Sequence, residues 1–285
     1  MRKRSIIALS TFLFIALVSL FLIYNRQTKG LNSRDYIQSS IPTLFFHGYG
    51  SSANAEKHMV EAARQAGVTQ SIIIATVDSH AQVTFKGDIP KDAINPIVMV
   101  EFKDNRNPNY AQDGEYAAAV VRKLQAKYAF KKMNFVAHSM GNMSILFYLL
   151  EHAQNEEFPQ LQKQVNIANH VNGLEGMDLP ANLTILDSKT GQPSAMSDSY
   201  QKLLGLREIY PQDQVDVLNI YGDFKNQSDG SVLNVSSRSL KYLVIDNAKS
   251  YQEKRVTGPL AQHSQLHENP EVDRLLIDFL WGKCF

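Results

Sequence analysis

The sequence has almost no cysteine and no excess of charge of either sign. Cys284, next to the C-terminus, is the single cysteine among 285 residues, so no internal disulfide can form and a four-cysteine zinc cluster is excluded. A cysteine nucleophile at such a terminus is not expected. Lys and Arg total 29 against 28 Asp and Glu, a formal net charge of +1. Since nucleic-acid binding needs clustered positive charge, we predict no nucleic-acid partner.

Long hydrophobic runs are also scarce, which excludes a multi-span membrane protein. One run extends from Ile6 to Tyr24 behind a short basic cluster, and as a helix it is long enough for a bilayer core of about 30 Å. A cleaved signal peptide is the alternative, but its apolar region is usually about 7–15 residues and ends at small residues. We therefore predict an N-terminal transmembrane anchor over residues 1–30, a linker over 31–40, and the rest of the chain outside the cell, with secretion as the alternative.

The remainder of the chain alternates short apolar runs with amphipathic stretches. Predicted strands cover residues 42–46, 71–77, 83–85, 97–102, 133–137, 165–170, 215–221 and 251–257, and predicted helices cover 54–66, 114–127, 141–154 and 272–281. This alternation predicts an α/β fold, a mostly parallel central sheet with helices on both faces, within one domain over 41–285. The stretch 173–213 lacks a clean period and is a candidate cap segment.

A serine lies at a predicted strand-to-helix turn. The strand over 133–137 continues into Ala137-His138-Ser139-Met140-Gly141, and a helix follows. Small residues two positions before and after the serine, here Ala137 and Gly141, let the strand and helix pack closely around a strained nucleophile. The start of the helix also directs backbone N–H groups toward a developing oxyanion. We therefore predict that Ser139 is a nucleophile.

A glycine loop and an acidic loop follow two other predicted strands. The first strand ends in His47-Gly48-Tyr49-Gly50, where the glycines let the backbone approach a substrate. A carboxylate that orients a catalytic imidazole is expected after the strand over 215–221, and both Asp223 and Asp229 follow it. Either aspartate can also be a simple turn residue.

Two histidines lie between the last predicted strand and the last predicted helix. His263 is nearer the end of the strand and is favoured as the catalytic base, whereas His267 is nearer the start of the helix. A zinc site formed by His263, His267 and Glu268 is the alternative, but the order His-x-x-x-His-Glu lacks the general base of the usual His-Glu-x-x-His motif. We therefore predict no metal.

Four stretches together resemble the α/β-hydrolase superfamily, and more narrowly the membrane-anchored DUF915 hydrolases of Gram-positive bacteria. They are His47-Gly48-Tyr49-Gly50, Ala137-His138-Ser139-Met140-Gly141, Ser228-Asp229-Gly230-Ser231-Val232 and the segment from His263 to Pro270. The resemblance covers about residues 41–281, and it implies a catalytic triad of Ser139, Asp229 and His263. It also implies an oxyanion hole formed by the backbone N–H groups of Tyr49 and Met140.

The resemblance implies hydrolysis of carboxylic esters, with a small-molecule ester as substrate and no cofactor. Small or medium acyl chains are favoured because no hydrophobic lid helix is evident in the sequence. An acyltransferase or a peptidase that uses the same triad is one alternative, since the residues do not separate water from another acceptor. A catalytically silent binding protein with this fold is the other, and fold alone does not decide among these functions.

Overall fold

The described chain is built around a large β-sheet; the computed structural model describes residues 36–283. The strands are β1 (Thr43–Phe46), β2 (Ile72–Val77), β3 (Val83–Lys86), β4 (Ile97–Phe102), β5 (Lys132–His138), β6 (Gln160–Ile167), β7 (Ile185–Asp187), β8 (Gln192–Pro193), β9 (Asp216–Asp223) and β10 (Ser250–Thr257). Eight of them form one sheet in the order β10-β9-β6-β5-β1-β4-β2-β3, and β7 pairs with β8 separately. In the large sheet, β3 pairs antiparallel with β2 and the other neighbours pair in parallel.

Helices cover both faces of this sheet. They are α1 (Lys57–Gln65), α2 (Tyr110–Tyr128), α3 (Met140–His152), α4 (Asp198–Leu203), α5 (Leu206–Ile209), α6 (Asn234–Arg238), α7 (Leu240–Val244) and α8 (Pro270–Trp281). The buried side chains of α1 and α8 belong to one apolar cluster, and those of α2, α3 and α7 belong to another. The predicted α/β fold, with a mostly parallel sheet between two helical layers, is therefore confirmed.

Strand β1 is buried on both faces, which explains why three of its four residues are large and apolar. Successive side chains of a strand point to opposite faces, so Leu44 and Phe46 enter the cluster with α2 and α3, while Phe45 enters the cluster with α1 and α8. All four residues of β1 are buried. A central parallel strand covered on both faces is apolar without alternation, and β1 therefore holds the middle of the sheet, between β5 and β4.

Most predicted boundaries differ from those of the structure by one to three residues, and two elements begin four or five residues earlier than predicted. Helix α2 begins at Tyr110 rather than at residue 114, because the side chain of Asn109 accepts hydrogen bonds from two backbone N–H groups of the first turn. The strand predicted over 165–170 is β6, which covers Gln160–Ile167. It ends where Ala168 adopts a φ of 49°, a left-handed conformation that cannot continue a strand. Residues 169 and 170 consequently belong to the loop above the sheet.

The ends of the described chain meet at the amino-terminal edge of the sheet. Tyr36 forms a β-bridge with Gly282, and the Ile37 N–H donates to the Trp281 carbonyl at 2.8 Å. Among residues 36–283, no helix is long and apolar enough to cross a membrane. The predicted anchor over residues 1–30 lies outside the described residues. The predicted cap segment, 173–213, contains the β7–β8 pair and the short helices α4 and α5.

A buried carboxyl group lies in the turn after the first strand. Glu56 ends the 3-10 helix Ala53–Glu56, is fully buried, and neither of its carboxyl oxygens has a hydrogen-bond partner in the described chain. Burial, and then the charge of Glu268, raises the pKa of the Glu56 carboxyl to about 8. The group is therefore expected to be protonated and neutral in the folded protein at pH 7.

We expect Glu56→Gln to make the folded protein more stable at alkaline pH. In the unfolded chain the carboxyl ionises near its ordinary pKa, so between about pH 4.5 and 8 the folded state retains a proton that the unfolded state releases. Wild-type stability therefore decreases as the pH rises through this window. Relative to pH 4, the free energy of unfolding of Glu56→Gln at pH 8.5 should exceed that of the wild type by about 3–5 kcal/mol.

Urea denaturation of both proteins at several pH values measures this difference. Glu157→Gln is the matched control, because Glu157 is exposed and its substitution should leave the pH dependence unchanged. If the free energies of unfolding of Glu56→Gln and wild type differ by the same amount from pH 4 to pH 8.5, the expectation is wrong.

Candidate active site

Ser139 lies at the carboxyl end of β5, near the centre of the sheet. Its backbone has φ 52° and ψ −122°, a conformation that costs on the order of 1–3 kcal/mol for a residue other than glycine. The Ser139 N–H donates to the carbonyl of Ile167, at the end of neighbouring β6, at 3.0 Å. Helix α3 begins at the next residue, Met140. The strand-to-helix turn predicted from the sequence is thus present, with its serine half-exposed at the top.

Gly141 is required by the close approach of α3 to β1. A Cβ atom at this position would lie 2.5 Å from the Phe46 carbonyl oxygen and 2.9 Å from that of His47. Both distances are shorter than any real contact, so a larger residue would push α3 away from the sheet. Gly48 also lies close to the serine, since a Cβ added there would be 3.0 Å from the Ser139 Cβ.

Three predicted site residues form one hydrogen-bonded series. The Ser139 Oγ lies 2.9 Å from His263 Nε2, and His263 Nδ1 lies 2.8 Å from Asp229 Oδ2. Since a carboxylate accepts hydrogen bonds, Nδ1 carries the proton and Nε2 is free to accept the hydroxyl proton of Ser139. The geometry therefore places a hydroxyl, an imidazole and a carboxylate in the order needed for proton transfer.

The loop after β9 holds the Asp229 carboxylate in place. Its Oδ1 accepts hydrogen bonds from the backbone N–H groups of Ser231 at 2.9 Å and Val232 at 2.7 Å, and the side chain is almost fully buried. The Asp229 carbonyl also accepts the backbone N–H of His263 at 2.9 Å. The loop that carries Asp229 (the acidic loop) and the loop that carries His263 (the histidine loop) are thus joined by one side-chain and one backbone hydrogen bond.

The alternative acid and the alternative histidine have other partners. Asp223 ends β9, where its Oδ2 lies 3.1 Å from Arg255 Nε on β10. The His267 ring packs edge-on against His138, with centroids 4.8 Å apart, and its Nδ1 lies 3.3 Å from a carboxylate oxygen of Glu268. His263 was favoured over His267 from the sequence and Asp229 over Asp223 from the family resemblance, and the structure joins Asp229 and His263, not Asp223 and His267, to Ser139 in one series.

His47 fixes the orientation of the glycine loop. Its Nε2 accepts the backbone N–H of Phe102 at 3.1 Å, so Nδ1 carries the proton and donates to the Gly48 carbonyl at 2.8 Å. Burial lowers the pKa of His47, which agrees with this neutral form. The Gly48 carbonyl and the Tyr49 N–H belong to the same planar peptide and point in opposite directions. By holding the carbonyl, His47 therefore sets the direction of the Tyr49 N–H.

The two backbone N–H groups predicted for an oxyanion hole are both unoccupied. Among residues 36–283, neither the Tyr49 N–H nor the Met140 N–H donates a hydrogen bond to the protein. Tyr49 follows the residue that contacts Ser139, and Met140 is the first residue of α3, where the helix dipole favours negative charge. The arrangement leaves two donors beside Ser139 for a negatively charged oxygen.

A second histidine supports the loop that carries His263. His138 Nε2 lies 3.0 Å from the His263 carbonyl oxygen and must be the donor. Burial, together with the neighbouring His263 and His267, lowers the pKa of His138 well below its ordinary value. A permanently neutral His138 therefore adds no charge beside His263 and serves to hold its backbone.

The described residues offer no metal site, and two of their cavities lie at the other edge of the sheet from Ser139. Within residues 36–283, no group of three or more His, Cys, Asp or Glu side chains has a geometry suited to a metal ion, and both ring nitrogens of His263 already face Ser139 and Asp229. Two surface cavities, of about 500 and 660 Å³, lie at the amino-terminal edge of the sheet. That edge is opposite to the one that carries Ser139.

Sequence reasoning missed two residues that shape this site. Gly222 in β9 lets the histidine loop reach the acidic loop, because an added Cβ would lie 2.0 Å from the Ala261 carbonyl oxygen. Asn142 in the first turn of α3 donates from its side chain to the Ser139 carbonyl at 2.9 Å. A glycine inside a strand and an amide early in a helix are the signals that point to such positions.

Comparison with known proteins agrees with this architecture. Residues 31–283 match a family described as alpha/beta hydrolases of unknown function, DUF915. A crystal structure of a gene product from Listeria innocua is 26% identical, with a TM-score of 0.77 over 87% of this chain and 95% of that one. A structure described as a cell surface hydrolase, from Lactobacillus plantarum WCFS1, is 20% identical, with a TM-score of 0.65 over 84% and 89% of the two chains. No curated protein sequence matches the chain.

The family match and the similarity of fold extend over nearly all of the described residues, including the strand-to-helix turn and the loops that meet above it. The chain therefore belongs to the DUF915 family of α/β hydrolases.

Proposed function

We propose that this protein is a serine carboxylester hydrolase that acts on small or medium acyl esters. The observation that carries the proposal is the continuous series from Ser139 Oγ through His263 to the Asp229 carboxylate, with distances of 2.9 and 2.8 Å. Such a series activates a serine that is otherwise a weak nucleophile at neutral pH.

In the proposed reaction, Ser139 Oγ attacks the acyl carbonyl while its proton moves to His263 Nε2. The ester C–O bond then breaks, and His263 returns the proton to the leaving alcohol, which leaves an acyl-enzyme. Water, deprotonated by His263, then attacks this intermediate; the bond from the acyl carbon to Ser139 Oγ breaks, His263 returns the proton to Oγ, and the acid is released. Asp229 holds the Nδ1–H tautomer and stabilises the imidazolium that forms at each step.

The backbone N–H groups of Tyr49 and Met140 are proposed to bind the oxyanion. Neither has a partner in the described chain, and removal of one such donor typically lowers kcat about 100–1,000-fold. His47, which holds the Gly48 carbonyl, keeps the Tyr49 donor aimed at the reacting carbonyl. The donors are therefore in place before the negative charge develops.

Exposed apolar side chains support a substrate with an apolar group. Tyr49, Phe224 and Leu260 are each more than 40% exposed and follow β1, β9 and β10 at the edge that carries Ser139. Large apolar side chains grouped on one surface are typical of ligand-binding sites. Three such side chains offer contact area for a small or medium acyl chain.

We also propose that residues 1–30 anchor the protein in the cell membrane, with the hydrolase domain on the outside. The apolar run from Ile6 to Tyr24 supports the anchor. The similar structure from Lactobacillus plantarum is named a cell surface hydrolase. Within the domain, residues 173–213 are proposed to form the cap over the site.

Hydrolysis of p-nitrophenyl esters from acetate to palmitate by the purified full-length chain tests the substrate class. We expect saturable turnover with the highest kcat/KM among the shorter esters. A maximum at palmitate would contradict the proposed acyl size, and an absence of turnover on every ester would contradict ester hydrolysis itself.

A further inference from the structure

A directional series of buried hydrogen bonds runs from the amino-terminal side of the sheet to Ser139. The Tyr210 hydroxyl donates to Gln164 Oε1, Gln164 Nε2 donates to Asn166 Oδ1, and Asn166 Nδ2 donates to Asn142 Oδ1, each at 2.9 Å. Tyr210 is 1% exposed and the three amide residues are fully buried. Each amide in this series receives at its oxygen and donates from its nitrogen.

Asn142 ends the series by binding the Ser139 carbonyl and the Ile167 carbonyl, which is the acceptor of the Ser139 N–H. Its Nδ2 donates to the Ser139 carbonyl and to the Ile167 carbonyl, each at 2.9 Å. The same Ile167 carbonyl accepts the Ser139 N–H, and the Asn142 backbone N–H also donates to the Ser139 carbonyl, at 3.0 Å. Asn142 therefore contacts the groups that define the backbone conformation of Ser139.

Two of these amides, Gln164 and Asn166, occupy positions where a parallel sheet normally carries apolar residues. Gln164 and Asn166 alternate along β6 with the buried Val165 and Ile167. Burying polar groups adds little net stability even when every hydrogen bond is made, whereas one missing partner is costly. Polar residues that depart from the local pattern are expected at functional positions.

The series also determines which way the Asn142 amide points. Because Asn166 Nδ2 is a donor, the Asn142 oxygen must face it, and the Asn142 nitrogen must then face the two carbonyls. A flipped Asn142 would set its oxygen against the two carbonyl oxygens and its N–H groups against those of Asn166. The Ser139 and Ile167 carbonyls can only accept, so they fix the direction of the whole series, and the Tyr210 hydroxyl at its other end donates to Gln164.

We propose that Asn142 is a positioning residue for Ser139, and that Tyr210, Gln164 and Asn166 hold its amide in the working orientation. This inference rests on the proposed function and concerns how the strained turn at φ 52° is kept in place. Without the Asn142 amide, the Ser139 backbone relaxes and Oγ moves away from His263 Nε2. A displacement of about 1 Å of a reacting group can cost about 100-fold in rate.

The test compares full-length Asn142→Leu with wild type on one p-nitrophenyl ester. We expect kcat to fall about 100-fold, with KM within about threefold of wild type, and the rate of fluorophosphonate labelling to fall in parallel. Asn219→Leu is the matched control. Asn219 is a fully buried amide on β9, in register with Asn166, but it bonds to Ser237 and not to Ser139. Its kcat should stay within about threefold of wild type.

A folded Asn142→Leu with wild-type kcat would overturn the proposal, and so would an equal loss of kcat in Asn219→Leu. If Asn142→Leu does not fold, Tyr210→Phe replaces it, since only a remote hydroxyl is removed. Its kcat should fall by at least about threefold at unchanged KM, and wild-type kcat would again overturn the proposal. If the proposed function itself is wrong, the result is different: the wild type would neither hydrolyse the ester nor react with the fluorophosphonate.

Discussion

Replacing Ser139 with alanine is expected to lower kcat for ester hydrolysis by about 10⁵–10⁶-fold. The substitution removes the hydroxyl that donates to His263 Nε2. The hydrogen bonds from Asp229 through His263 then no longer lead to a nucleophilic oxygen. Only the oxyanion donors and substrate binding then remain to accelerate attack by water. The measurement is steady-state kinetics on p-nitrophenyl butyrate, with the melting temperature recorded for both proteins.

Ser264→Ala is the matched control for this substitution. Ser264 is exposed and directly follows His263, so it lies in the same loop, yet its backbone N–H and not its hydroxyl makes the local hydrogen bond, to the Gln262 side chain. We expect wild-type kcat from it. Equal activity of Ser139→Ala and wild type would show that the ester is hydrolysed elsewhere.

Asp229→Asn is expected to lower kcat about 10⁴-fold while KM changes little. An amide has nearly the same shape as the carboxylate, and its oxygen can still accept from the Ser231 and Val232 N–H groups. Its nitrogen then faces His263 Nδ1 and favours the tautomer in which Nε2 carries the proton. In that tautomer His263 cannot accept the Ser139 proton. Kinetics across pH 6–9 should show the loss at every pH.

Asp223→Asn distinguishes the two acids that follow the same strand. The Asp223 carboxylate pairs with Arg255 rather than with His263, so its substitution should leave kcat within about threefold of wild type. A large loss of kcat for Asp223→Asn, with none for Asp229→Asn, would contradict the assignment of Asp229 as the partner of His263.

The local part of the site is predictable because it depends on neighbouring residues. The alternation of strands and helices predicts the sheet, and the small residues on either side of Ser139 predict its tight turn. Gly141 illustrates the physical reason, since the approach of α3 to β1 leaves no room for a Cβ. Such constraints are visible in a short stretch of sequence.

The long-range part of the site depends on how separate loops pack. His263 is 124 residues from Ser139 and 34 from Asp229, and neither spacing separates it from His267. The contact depends on Gly222, which allows the histidine loop to reach the Asp229 loop. The start of β6 lies at Gln160 rather than at residue 165 for a related reason, because polar residues such as Gln164 look like loop residues until their buried partners, here Asn166 and Tyr210, are known.

The reaction of the full-length protein with a fluorophosphonate, followed by peptide mass spectrometry, tests most directly whether Ser139 is an activated nucleophile. We expect one adduct, on the peptide containing Ser139, and a labelling rate at least about 100-fold lower in His263→Ala. A folded protein that forms no adduct, or that carries it on a different serine, would contradict the assignment of Ser139 as the nucleophile.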